Sequence, residues 1–176
     1  MEECFIIDAC VITSASPKTP VSKRVATFLE MFLETKNKIG MTKTLKEEWL
    51  RHPSPYTAKV YGLLKNQRRI IKISDHETVE DLRIKIQNIK DKQRVEAILK
   101  DIHLLEAAIV TDKFIISLDN KARNNFNHFY DCISGIPDVC WVNPSVETEF
   151  ALEWLLCKEK YEPTRFIINF KNGVYA

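Results

Sequence analysis

Four acids set in apolar surroundings are the residues of this chain best suited to do chemistry. Asp8 ends the apolar run Cys4-Phe5-Ile6-Ile7, and Asp119 ends Phe114-Ile115-Ile116-Ser117-Leu118. Both runs read as buried strands, so each acid stands at the C-terminal end of one. Open parallel sheets bind their ligands outside those ends. Glu48 lies on a helix after a second strand, and Asp101 on a long helix, one residue before the core-facing Ile102. Carboxylates that converge on one spot repel strongly unless a cation lies among them. Hard oxygen donors suit Mg²⁺ or Mn²⁺. A pair of such ions can activate a water and stabilise the leaving oxygen of a phosphodiester.

Each acid also has a structural account. Asp8 can serve as a turn or N-cap residue, and Asp119 can cap the helix that follows it. Capping and cation binding are compatible only if different oxygens serve each. Glu47 fits a capping box with Thr44 as N-cap, which explains it without chemistry. Glu48, three residues after Leu45, lies near the apolar face and is the choice for the ligand. Asp101 alone reads as a solvated helix acid. Ser117, two residues before Asp119, points to the same side of its strand and can support the site, as can Asn120. Lys121 and Arg123 open the next helix and could hold a phosphate. The basic run Lys65, Arg68, Arg69, Lys72 could track an RNA backbone or form a solvated face.

The elements that must position these residues follow from periodicity. Thr19 and Pro20 offer an N-cap followed by proline at the first helical position. Val25, Phe28, Leu29, Phe32 and Leu33 then follow at helical spacing, predicting a helix over 20–36. Ile39-Gly40-Met41 predicts a second strand, and Thr44 begins a helix that stops before Pro53. A helix follows over 55–67, and Ile70, Ile71 and Ile73 suit either strand or helix end. Ser74-Asp75-His76-Glu77 is a second capping box. The spacing of Val95, Ile98, Leu99, Ile102, Leu105 and Ile109 predicts a long helix over 92–110. Further helices are expected over 120–132 and 145–158, with strands at Val139–Val142 and, at an edge, Phe166–Phe170. Strands alternating with helices imply an α/β fold, a three-layer α/β/α sandwich on a central, mainly parallel sheet. One domain over 1–176 is the economical reading of 176 residues. Its core spans 4–158, with a helical insertion at 54–95 and a C-terminal tail at 159–176.

Composition excludes several classes. Apolar residues at 45% and charged residues at 28% are ordinary for a globular chain. No run of ~18 apolar residues predicts a membrane span. Met1-Glu2-Glu3 lacks the basic start of a secretory leader. The net charge of +2 is not that of a protein that coats nucleic acid. The five cysteines, without a C-x-x-C, read as reduced thiols of a cytoplasmic protein rather than a disulfide frame or zinc site. His52, His76, His103 and His128 show no ligand spacing, and neither a G-x-S-x-G nor a P-loop occurs. Four glycines in all exclude a Rossmann phosphate loop.

The layout resembles the PIN-domain nucleases. The resemblance rests on Phe5-Ile6-Ile7-Asp8-Ala9-Cys10-Val11-Ile12, on Thr42 leading to Glu48-Trp49, on Asp101-Ile102-His103-Leu104-Leu105-Glu106-Ala107-Ala108-Ile109, and on Ser117-Leu118-Asp119. Trp141-Val142-Asn143-Pro144 matches the family's later strand and turn. The four acids, spaced by 40, 53 and 18 residues, keep the family's order over about residues 4–158. The resemblance implies a Mg²⁺- or Mn²⁺-dependent ribonuclease in which Asp8, Glu48, Asp101 and Asp119 hold the metals and no protein nucleophile is needed. It further implies an antitoxin-like protein partner, as for small toxin-type members, and a possible homodimer; no membrane is involved. Two positions depart from the pattern. Cys10 stands where toxin-type members often carry Asn, and Asn120 and Lys121 stand where a second acid is common. These departures favour a runner-up, a catalytically weak PIN-like module that binds RNA or a protein. A third reading, phosphotransfer on Asp8, is poorer because Cys10 is not a second acid.

Overall fold

The computed structural model describes residues 2–16, 18–51, 54–74, 80–128 and 139–156, without side chains at positions 80 and 81. Among them lie five strands: β1 (Cys4–Ile7), β2 (Lys38–Met41), β3 (Ile70–Lys72), β4 (Phe114–Ile116) and β5 (Cys140–Val142). They form one sheet in the order β3-β2-β1-β4-β5, and every pair is parallel. All of β1, β4 and β5 is buried, as expected of strands that read as continuous apolar runs. Gly40 in β2 has a steric reason. A Cβ there would approach the Cδ1 atoms of Ile6 and Ile73 to 2.6 Å.

The helices are α1 (Ala9–Ser14), α2 (Pro20–Glu34), α3 (Lys43–Arg51), α4 (Pro55–Asn66), α5 (Glu80–Gln87), α6 (Lys92–Ile109), α7 (Asn120–His128) and α8 (Thr148–Leu156). Packing sorts them into two groups. Helices α1, α2, α4 and α8 pack together, α5 and α7 pack on α6, and α3 touches both α1 and α6. The result is the α/β architecture expected from alternating elements. Phe5 and Phe114 stack at 4.9 Å, and Trp154 of α8 meets both edge-on. These contacts anchor α8 on β1 and β4.

The strand order fixes where a ligand can sit. From β1 the chain builds outward through β2 to β3, then returns to the other side of β1 for β4 and β5. The order therefore reverses between β1 and β4, and a crevice opens at such a switch point outside the carboxyl ends. Ile7 pairs with Ile116, so the residues that follow, Asp8 and Ser117, are level with each other.

Several boundaries agree with the periodicity, and others do not. Thr19 caps α2 in a capping box with Ser22, and Pro20 opens the helix. Helix α3 is capped by Thr42 rather than Thr44, because the Thr42 hydroxyl accepts the Leu45 N–H at 3.1 Å. Glu47 thus has no capping role and is exposed. The six residues of α1 carried no helical period long enough to read. Within the span 54–95, β3 pairs with β2 as an edge strand, so that span is not helical throughout. The second capping box from Asp75 onward, the helix end beyond His128, and Phe166–Phe170 lie outside the described residues.

The basic run Lys65 to Lys72 divides by burial. Lys65, Arg68 and Lys72 are exposed. Arg69 is buried, and its guanidinium donates to the carbonyls of Phe32, Leu33 and Asn37 at 2.7, 2.9 and 2.6 Å. It satisfies the open carbonyls at the C-terminal end of α2, where a cation is favoured. Among the described residues, no helix is long and apolar enough to cross a membrane.

Candidate functional site

Asp8 is held by both of its oxygens. Oδ1 accepts the Cys10 N–H at 3.2 Å, which makes Asp8 the N-cap of α1. Oδ2 accepts the Ser117 hydroxyl at 2.6 Å and the Cys10 thiol at 3.0 Å. The Cys10 sulfur accepts the Leu118 N–H at 3.3 Å, and the Ser117 hydroxyl oxygen accepts the Asp119 N–H at 3.1 Å. Cys10 and Ser117 thus join the ends of β1 and β4. Burial, then the charge of Asp8, push the Cys10 thiol far up, so it stays protonated and donates.

Asp119 is exposed at the N-terminus of α7. Its Oδ1 accepts the N–H groups of Lys121 and Ala122 at 2.8 and 2.9 Å. This is a helix cap, and one oxygen carries it, so Oδ2 remains for another partner. Asn143, buried after β5, donates its side-chain N–H to the Leu118 carbonyl at 3.0 Å and to Asn120 Oδ1 at 3.3 Å. It steadies the turn that presents Asp119.

Asp101 of α6 is half-buried beside these two acids. Burial first, then the charges of Asp119 and Asp8, raise its carboxyl to about 6, against smaller opposing effects of Lys100 and His103. Three aspartates, from the ends of β1 and β4 and from α6, therefore share one field.

Glu48 stands apart. Its Oε2 meets Nε2 of His103 at 3.1 Å, with side chains 27% and 11% exposed. The neighbouring Trp49 is buried, and its indole N–H donates to the Ile7 carbonyl at 2.9 Å. That bond ties α3 to β1 and fixes which way Glu48 faces. Between the two adjacent glutamates, Glu48 is the one turned toward α6, while Glu47 faces solvent.

The proposed phosphate ligands separate. Lys121 is exposed at the start of α7. Arg123 is fully buried and pairs with Glu147 at 3.4 Å. It cannot meet a phosphate, because on α7 it faces the core with Ala122 and Phe126. Two residues that matter here escaped the sequence reading. Cys10 figured only as a departure from a pattern, and His103 only as a histidine without ligand spacing. Its partner is 55 residues away on another helix, which no local motif reveals.

A divalent cation can be tested against this donor set. The oxygens of Asp8, Asp101 and Asp119 are hard donors of the kind Mg²⁺ and Mn²⁺ accept. Their mutual repulsion is what a cation relieves. Among the described residues, however, no three such side chains are grouped closely enough to hold an ion. The donors fit in chemistry, and they must close up to ligate. No family model matches the chain, and neither does any curated protein or solved structure.

Proposed function

We propose that the chain is a divalent-cation-dependent nuclease acting on RNA, with Asp8, Asp101 and Asp119 holding Mg²⁺ or Mn²⁺. One observation carries this reading. Asp8 and Asp119 follow adjacent parallel strands and flank the point where the strand order reverses. A cation there would supply charge to activate water and to stabilise the leaving oxygen. Ser117 and Cys10 hold Asp8, the α7 N–H groups hold Asp119 by one oxygen, and Lys121 offers a cation at the rim for a phosphate. RNA as the substrate is supported by the resemblance to PIN-domain nucleases alone.

The test is cleavage of single-stranded RNA by the whole chain with Mn²⁺. The wild type should cleave, and Asp8→Asn should not, while circular dichroism shows both folded. Equal cleavage by Asp8→Asn overturns the assignment. The runner-up, a weakly catalytic binding module, is favoured by the hydrogen bonds that occupy Asp8 Oδ2 and Glu48. For that module, Mn²⁺ should leave the melting temperature unchanged and RNA should bind uncut.

A further inference from the structure

Arg68 occupies a backbone position suited to glycine. Helix α4 ends in a Schellman motif: the Arg68 N–H donates to the Lys65 carbonyl at 3.1 Å, and the Arg69 N–H to the Leu64 carbonyl at 2.9 Å. Such an ending puts the residue after the C-cap in the left-handed region, where glycine is usual. The C-cap is Gln67, and Arg68 follows it with a φ of 56°, a strained value for any residue with a Cβ. The Arg68 side chain is exposed, so core packing does not account for it. It lines a cavity of about 360 Å³ at the amino edge of the sheet, with Lys36, Lys38 and the buried Arg69. Glu2 and Glu34 line the same cavity, and Glu2 is paired with Lys38 at 2.8 Å, so positive charge is in excess. The α2 carbonyls of Phe32 and Leu33, which would repel an anion, are taken by Arg69. Among the described residues, neither Lys36 nor Arg68 forms an ion pair or a side-chain hydrogen bond.

We propose that this cavity binds a small phosphorylated ligand, with Arg68 and Lys36 as its direct contacts. A concave site of this volume suits a small molecule. Leu33 is its one apolar lining residue, so the ligand is polar throughout. The Arg68 guanidinium matches two phosphate oxygens at once, and the Lys36 ammonium adds a point charge. Arg69 is occupied by carbonyls and contributes charge alone. Backbone strain of the kind seen at Arg68 concentrates at positions that hold ligands. The cavity lies between the end of α2 and the turn before β3, at the opposite edge of the sheet from Asp8 and Asp119. It therefore stands independently of any cation at those acids.

Calorimetric titration of the full chain with sodium pyrophosphate, at low ionic strength and without metal, tests the site. The wild type should bind one pyrophosphate. Lys36→Ala should bind about tenfold more weakly, the size of one lost hydrogen bond between charged groups. Arg68→Gly separates backbone from side chain. Without ligand it should melt about 3 °C above wild type, because glycine relieves the left-handed strain, yet its affinity should fall at least as far as that of Lys36→Ala. The expected gain in stability ensures that lost binding there is not lost folding. Arg68→Lys keeps the charge and should bind between wild type and Arg68→Gly. Lys59→Ala removes an exposed charge of α4 outside the cavity and should bind as wild type does. No binding by the wild type overturns the proposal. So does wild-type affinity in both Lys36→Ala and Arg68→Gly, and so does an equal loss in Lys59→Ala, which would mark attraction to surface charge at large.

Discussion

The two edges of the sheet use charge in opposite ways. At the amino edge several charged groups are spent on backbone or on a partner of opposite sign. Arg69 donates to three carbonyls around the end of α2, and Asp112 accepts the Cys4 N–H at 2.7 Å. Lys38 pairs with Glu2 at 2.8 Å on the surface. At the carboxyl edge, Asp8, Asp101 and Asp119 face charges of their own sign. Buried or partly buried charge is tolerable when partners of opposite sense consume it. Like charges gathered together are a standing cost to the folded state.

The comparison can be broken by variants, the strongest at the amino edge. Arg69→Met should cost about 3 kcal/mol of stability, because it removes several hydrogen bonds from a charged donor, among them those to the Leu33 and Asn37 carbonyls. Denaturant titration measures it, and a loss under about 1 kcal/mol would mean water replaces the guanidinium there. Mn²⁺ should still raise the melting temperature of that variant as it does for wild type.

At the carboxyl edge, Asp119→Asn should be slightly more stable than wild type without metal, since asparagine keeps the helix cap and removes a like charge beside Asp101. Millimolar Mn²⁺ should raise the melting temperature of the wild type and not of Asp119→Asn, because a ligand that binds only the folded state stabilises by mass action. The same rise in both proteins would remove Asp119 from the cation set.

A smaller effect concerns pH. The Asp101 carboxyl is raised from 3.8 to about 6 in the folded protein. Between about pH 4 and pH 6 the folded state thus binds more protons than the unfolded chain, and stability falls as pH rises through that window. Asp101→Asn should flatten the slope and be more stable than wild type at neutral pH by about 1 kcal/mol, after discounting for solvent screening. Parallel slopes in the two proteins would show that Asp101 does not feel its neighbours.

The smallest effect distinguishes two threonines. Thr42→Ala should cost about 1 kcal/mol through the lost cap of α3, while Thr44→Ala should change stability by a few tenths. The reverse order would restore the Thr44 capping box.

Much of this fold was legible because it is written in local patterns. Thr19-Pro20 opens α2 as the cap rules require, and the spacing from Val95 to Ile109 marks α6. The apolar runs at Cys4 and Phe114 became adjacent strands, and the acids after them both act on Asp101. Less legible were short elements and shared ones. Helix α1 is too brief to show a period, and β3 sits in a basic run where isoleucines suited either state. Arg69 and Arg123 looked like candidate anion ligands because sequence shows charge and not direction. Packing turned one toward the carbonyls of α2 and the other toward Glu147.

Residue type and order by themselves determined that this chain alternates strands and helices, and that Asp8 and Asp119 end two buried strands. Hydrophobic period is a local quantity, so it survives in a linear string. Tertiary structure alone decided that strand order reverses between those two strands, that Asp101 shares their field, and that Glu48 answers to His103. Those facts depend on which helix lies against which, and that is set by side chains packing across distances of tens of residues, where no spacing rule reaches.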